Sequence, residues 1–291
     1  MTFDVVIGNP SYNNGADLDF VDLAYRISKD NTGLVCMITP AKWQTTSDDY
    51  IGCASENIDY TEFRNRYVEY MDYICYYPVC RDIFEILQAD GITYYLLTKQ
   101  KHERCVVENK CKHIKAFNSI ETRDIRHRES LFNIGNEIVN YLGDYKRFTF
   151  QSSRQHEFKR YQVWTNTKIP GGGLSALTSP KKTYFVGESH IEENYGWALA
   201  RPNSIKCIFS SDIESECESF ISWLNCKFTR FFVAINVNKL TGILTDDYFR
   251  FVPAPPDYKF NHIYTDQELY NLYNIPQKYI EVIESIVKDR E

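Results

Sequence analysis

The chain has no apolar run approaching the ~18 to 20 residues that cross a bilayer, and Asp4 stands where a basic region would precede an export signal. A soluble, cytoplasmic protein without membrane contacts is therefore expected. There is also no tight Cys-x-x-Cys pair among the nine cysteines (36, 53, 75, 80, 105, 111, 207, 217 and 226). An odd, scattered set of this kind reads as reduced thiols and not as a disulfide framework. Cys105, Cys111 and His113, with Cys75 and Cys80, have the one spacing worth testing for zinc, but ordinary thiols are the plainer reading, and no metal is expected. The six histidines form no ligand or triad spacing, and no serine or cysteine nucleophile elbow is present. Internal repeats and low-complexity tracts are missing as well.

What is present is a globular composition. The 291 residues are 43% hydrophobic and 15% aromatic, enough for one large or two modest domains. The net charge of −6 is unevenly distributed. Residues 1–98 hold 6 Lys/Arg and 15 Asp/Glu, residues 99–182 hold 17 and 8, and residues 183–291 hold 10 and 16. A basic island between acidic flanks is the pattern expected where phosphates are neutralised, although a solvated charged face gives the same count.

The first ~98 residues alternate strands and helices as parallel α/β sheets do. Strands are predicted at Val5–Ile7, Leu34–Ile38, Tyr73–Tyr77 and Ile92–Leu97. Helices are predicted on the stripe Leu18, Val21, Leu23, Ala24 and Ile27, and on Phe63, Tyr67 and Tyr70. Such apolar strands predict a small sheet covered on both faces, with Val5–Ile7 as an edge that a second chain or a later part of this one would cover. Beyond residue 99 the pattern weakens. Strands are predicted at Thr183–Val186 and Ile205–Phe209, one long helix at Glu214–Phe232, and two short helices after Pro253-Ala254-Pro255-Pro256. The first of these is capped at Thr265, and the second starts at Pro276. Gly171-Gly172-Gly173 neither follows a strand nor opens a helix, so it reads as a flexible or DNA-contacting loop that includes Lys168.

The chemistry concentrates at Asn9-Pro10-Ser11-Tyr12, directly after the first strand. An exocyclic adenine amine is a poor nucleophile because its lone pair is conjugated with the ring, and acceptors that draw its N–H hydrogens favour a tetrahedral nitrogen. A carboxamide oxygen such as that of Asn9 and a neighbouring carbonyl can do this, and Pro10 fixes the local dihedrals so that both aim at one point. Tyr12 supplies an aromatic platform, worth on the order of 1–3 kcal/mol for a stacked base. Ligands of open α/β sheets bind at such carboxyl ends of strands. Asp4, Lys42 and Trp43 also fall near strand ends, where a surface acid and a packed tryptophan are the plainer readings. Arg123, Arg126 and Arg128, then Arg154, Lys159 and Arg160 among Phe158, Tyr161 and Trp164, interleave basic and aromatic residues as phosphate and base contacts do.

The run Phe3-Asp4-Val5-Val6-Ile7-Gly8-Asn9-Pro10-Ser11-Tyr12 resembles the catalytic segment of Eco57I-like restriction-modification DNA N6-adenine methyltransferases, in which the turn is usually Asn-Pro-Pro-Tyr. The resemblance continues through Asp19–Ala24, Ile38–Gln44, Tyr76-Tyr77-Pro78, Asp82-Ile83-Phe84 and Gly91–Leu97. It reaches Asn225–Phe231 and Phe249–Pro253 near the other end. It implies an α/β fold, with a partial Rossmann-like methyltransferase sheet in residues 1–115, an α+β target-recognition domain in 116–256, and a helical tail in 257–291. It further implies that Asn9 and Pro10 hold the adenine amine and Tyr12 stacks on the base, with Ser11, Lys42, Trp43 and the basic residues above contacting double-stranded DNA. S-adenosylmethionine would be the methyl donor, with Asp4 on the donor side. Ser11 replaces the second proline. No glycine-rich donor loop precedes the motif, so the chain is expected to be either a fragment or one subunit of a split enzyme whose second subunit supplies that half, with weak or no donor binding by this chain alone. The alternative is a non-catalytic DNA-binding or specificity protein derived from such a methylase.

Overall fold

A computed structural model describes residues 1–12, 15–45, 57–85, 91–112, 114–126, 131–149, 159–166, 190–193, 205–236 and 249–289. The expected strand at Thr183–Val186, the triple-glycine loop, and the residues Arg128, Arg154 and Lys168 lie outside that set. The chain divides into two units, Met1–Asn136 and Glu137–Glu291.

The first unit is α/β. Its sheet holds six strands: β1 (Val5–Gly8), β2 (Leu34–Pro40), β3 (Met71–Tyr77), β4 (Ile92–Leu97), β5 (Cys105–Asn109) and β6 (Ser119–Arg123), in the spatial order β1-β2-β4-β3-β5-β6. The four strands expected from the sequence are all present. The sheet is larger than expected, because β5 and β6 extend it, and it is mixed where a parallel one was expected. β1 runs parallel to β2 and β3 parallel to β5, whereas β4 is antiparallel to both neighbours. Tyr77 at the end of β3 pairs with Ile92 at the start of β4, so these two strands run in opposite directions.

Helices α1 (Ala16–Ile27), α2 (Lys42–Thr45) and α3 (Tyr60–Tyr67) follow β1 and β2. The predicted stripe works as read at Leu18, Val21 and Ala24, which are buried, while Leu23 is exposed. These residues pack with Trp43, Phe63 and Tyr67 against Val35, Met37, Ile74, Tyr95, Leu97 and Val107 on one sheet face. Gly33 makes the tight entry to β2: a Cβ there would lie 2.5 Å from the Lys29 carbonyl oxygen. The other face departs from the expectation of full cover, since Val5 and Ile7 are exposed and Leu34, Cys36, Ile38 and Leu96 only half-buried. Alternation along each strand sends these side chains to the side opposite the core. β1 is an edge strand, as the sequence implied.

In the second unit β7 (Tyr161–Asn166), β8 (His190–Glu193) and β9 (Ile205–Ser211) form an antiparallel sheet ordered β8-β7-β9. Helix α4 (Asn133–Leu142) spans the division between units, and α5 (Glu214–Asn225), α6 (Lys227–Ala234), α7 (Asp266–Leu272) and α8 (Gln277–Ile286) follow β9. The helix expected over Glu214–Phe232 is two helices. Cys226 takes an extended ψ of 142°, and the Asp266 carboxylate accepts the Phe228 N–H at 2.9 Å to cap the second one. Phe209, Phe220, Trp223 and Phe260 form the aromatic centre of this unit, with Phe209 and Phe220 stacked at 4.5 Å. The tail helices begin as expected, with the Thr265 hydroxyl accepting the Glu268 N–H. No helix among the described residues is long and apolar enough to cross a membrane.

Candidate functional site at the carboxyl end of β1

The carboxyl ends of three strands meet at one end of the first sheet. Gly8 pairs with Met37 in parallel register, so Asn9–Tyr12 lies beside the end of β2, where Pro40 leads into Ala41, Lys42 and Trp43. Pro40 pairs in turn with Ile92, and Ile92 with Tyr77 at the end of β3. The segment after β3 brings Cys80 close enough to Tyr12 for their charges to interact.

Within the turn, the Tyr12 hydroxyl donates a hydrogen bond to Asn9 Oδ1. The two residues expected to treat one adenine are thus in direct contact. Tyr12 is half-buried, and its phenol is pushed up to about 12, chiefly by burial and then by the charges of Cys80 and Asp17. Ser11 is exposed.

Sequence reasoning missed Asp17. It occupies the first turn of α1, is only 4% exposed, and its carboxyl is pushed up to about 6. Burial is the main cause. Its own backbone N–H and the Lys42 ammonium oppose that shift, and Asp19 adds to it. The signal was available, because Asp17 is in phase with Val21 and Ala24 on the buried stripe of α1. Tyr95, fully buried on β4, interacts electrostatically with both Asp17 and Tyr12 and completes the cluster.

A folded-state pKa above the ordinary value means that Asp17 holds its proton more tightly in the folded chain. Stability is then lost as pH rises from about 4 through 6, and ionised Asp17 costs on the order of 3 kcal/mol above that range. Asp17→Asn is expected to recover most of this at pH 8 and little at pH 4, read as the difference in urea midpoints between the two pH values. Equal effects at both would show that the carboxylate carries no buried-charge cost.

The remaining expected site residues are dispersed. Asp4 precedes β1, at the opposite end from Asn9, and pairs with Lys29 at 2.6 Å. Trp43 is 3% exposed and packs against Phe63 and Tyr95, so it is a core residue, whereas Lys42 is half-buried beside Asp17. Arg123 pairs with Glu121 at 3.7 Å, and Arg126 grips Asp124 with two bonds of 2.9 and 2.6 Å. Other cations of the basic island are also engaged: Lys101 by Glu69, Lys110 by Glu108, and Lys112 by the Asp82 carbonyl. Glu69 and Asp82 come from the acidic first segment, so folding offsets part of the charge contrast seen along the sequence. Lys159 and Arg160 are exposed at the start of β7, in the second unit. Among the described residues no group of three or more His, Cys, Asp or Glu side chains could hold a metal ion.

Fold and site define an α/β protein with a polar–aromatic turn at the carboxyl end of a parallel strand. No protein-family model matches the chain, and no curated protein matches it. Among solved structures it is similar to the type IIG restriction endonuclease BpuSI, with a TM-score of 0.33 and 9% identity. That match covers 90% of this chain and 44% of the other, so the chain spans less than half of that structure's length.

Proposed function

We propose that Asn9–Tyr12 receives an adenine, and that the chain is a component of a site-specific DNA adenine-N6 methyltransferase of a restriction-modification system. One observation carries this reading: the Asn9 amide oxygen and the Tyr12 ring are held together where α/β sheets bind ligands. Asn9 Oδ1 accepts an N–H of the exocyclic amine and so loosens its lone pair from the ring, while Tyr12 supports the flipped base by stacking. Double-stranded DNA is the substrate on this reading, held by cations that exchange their present carboxylate partners for phosphates; exposed ion pairs hold by only about 0–1 kcal/mol, so that exchange is inexpensive.

S-adenosylmethionine supplies an electrophilic methyl group in such reactions. Asp4, the residue expected on the donor side, is bound to Lys29 at the far end of β1 and does not fit that role. The donor site on this reading is built with residues from outside those described here, in the same polypeptide or a second subunit.

The test is a nuclear magnetic resonance titration of the chain with adenosine, with inosine, which carries a carbonyl where adenosine carries its amine, as the control. Adenosine is expected to shift resonances flanking Gly8–Tyr12 and Ala41–Lys42 at millimolar concentration. No response, or an equal response to inosine, overturns the reading.

A further inference from the structure

The second unit holds a cavity that the adenine reading leaves unused. It lies between the end of α4, the segment that follows that helix, the segment Ala254–Asp257 and the end of α7. Its volume of about 390 Å³ is within the range of about 300–1,000 Å³ usual for ligand clefts. Leu142, Pro255, Pro256 and Leu272 give it apolar walls, which the side chains of Tyr145 and Tyr273 complete. Both tyrosines are fixed through their hydroxyls: Tyr145 donates to the Phe251 carbonyl at 2.8 Å, and Tyr273 donates to the Ala254 carbonyl. The Ala254 N–H donates in turn to the Lys146 carbonyl at 2.9 Å, so the walls are tied to one another. Of the non-glycine residues with positive φ, Asp257 and Asn274 line the cavity and Tyr258 adjoins it. Backbone of this kind persists only where its surroundings hold it, and it recurs at ligand clamps.

The polar groups of the cavity favour a cation. Helices α4 and α7 both end there, their last carbonyls carry partial negative charge, and neither helix has a basic residue in its last turn to offset it. Asp144 follows α4 by two residues and is exposed, and no hydrogen bond or ion pair joins it to another described residue. Asp257 adds a second carboxylate, held by Lys259 at 3.4 Å in an exposed pair. Aromatic rings in this corner already carry cations. The Lys146 ammonium lies 4.3 Å from the centre of the Tyr258 ring, and the Arg147 guanidinium lies 5.7 Å from that of Tyr145.

We propose that this cavity binds a guanidinium group carried on an apolar stem, the chemistry of an arginine side chain. A guanidinium is planar and weakly hydrated, so it stacks against tyrosine rings, and its fork of N–H donors meets a carboxylate and neighbouring carbonyls together. Asp144 is the carboxylate available to it, and the terminal carbonyls of α4 and α7 are the further acceptors. The methylene stem runs along the proline and leucine walls, as the stems of long cationic side chains do on apolar surface. The site stands apart from the adenine reading, which rests on residues of the first unit.

Lys146 is the lining group that opposes such a ligand, and its place against Tyr258 makes it a competitor for the same negative charge. A nucleotide is the less suitable occupant, since its phosphate meets two carboxylates and two helix ends of its own sign.

The experiment is a magnetic resonance titration of the full chain at pH 7.5 with Nα-acetyl-arginine methylamide. The control is the same capped form of citrulline, a neutral molecule of nearly the same shape. The arginine probe should shift the N–H resonances of Gly143–Lys146, Asp257 and Leu272–Asn274, and more weakly as salt is added. The citrulline probe should leave them in place. Asp144→Asn should weaken binding about fivefold, the equivalent of one hydrogen bond to a charged group at an exposed rim, and leave thermal stability unchanged because Asp144 holds no partner. Lys146→Gln should tighten binding about twofold by removing the competing charge. Tighter binding of the capped residue than of free arginine identifies an arginine presented by a protein, and the reverse order identifies a free small molecule; both support the guanidinium site. No shift at these resonances, equal shifts with citrulline, undiminished binding by Asp144→Asn, or preferential binding of adenosine monophosphate overturns it.

Discussion

On the proposed adenine reading, Asn9→Ala is expected to abolish the adenosine response of this chain and, once a donor half is supplied, to lower adenine methylation of DNA by about 10²–10³-fold, the range seen when one preorganised hydrogen-bonding group at a reacting centre is removed. The loss should lie in kcat/KM for methyl transfer, while affinity for bulk DNA stays within about twofold, because phosphate contacts dominate that affinity. Folding should be little affected. Asn9 is an exposed turn residue whose side chain accepts the Tyr12 hydroxyl, and neither residue belongs to the core of the first unit. Retained methylation in Asn9→Ala would remove the turn from the chemistry. Parallel loss of DNA binding and thermal stability would make Asn9 a structural residue instead.

The second large effect concerns stability. Arg230 of α6 is 1% exposed. Its guanidinium donates to the Asn225 carbonyl at 2.9 Å and to the Lys288 carbonyl at 2.7 Å, tying the α5–α6 break to the end of α8. Burial lowers its pKa, and the charge of Asp266 opposes that shift. Arg230→Met should destabilise the second unit by about 3–5 kcal/mol, since it leaves two carbonyls without their donor and removes the positive charge that acts on half-buried Asp266. Arg230→Lys should recover less than half, because an ammonium cannot span both carbonyls as the planar fork does. Urea unfolding followed by tryptophan fluorescence reads this directly, as Trp223 lies in the aromatic centre of the same unit. A loss below about 1 kcal/mol would mean that the carbonyls find other donors.

Several features were legible in the sequence because they depend on neighbours a few residues apart. The apolar runs of β1 to β4 and β9, the stripe of α1, and the Thr265 cap of α7 all follow from local periodicity and local hydrogen bonding. The Asn9–Tyr12 turn was legible for the same reason: a strand, a proline and an aromatic within four positions fix its place at a strand end. By contrast, β5 and β6 carry charges such as Glu108 and Glu121 and gave no continuous apolar signal, yet they pair because β3 offers an edge to β5 and β5 in turn offers one to β6. The break at Cys226 was illegible as well, since the carboxylate that caps α6 comes from Asp266, 38 positions away.

The sequence by itself determined an α/β first unit, its leading strand at a sheet edge, and the identity of the residues at its catalytic-looking turn, because period and turn chemistry act over short distances. Only the tertiary structure decided that β4 intervenes antiparallel between β2 and β3, that carboxylates, Glu69 of the first segment among them, engage several cations of the basic island, and that Tyr12 binds Asn9 while Asp17 is buried. Those outcomes turn on which strand edges, charges and hydroxyls meet after the chain has folded back on itself, and burial, which sets their energies, is a property of the packed molecule.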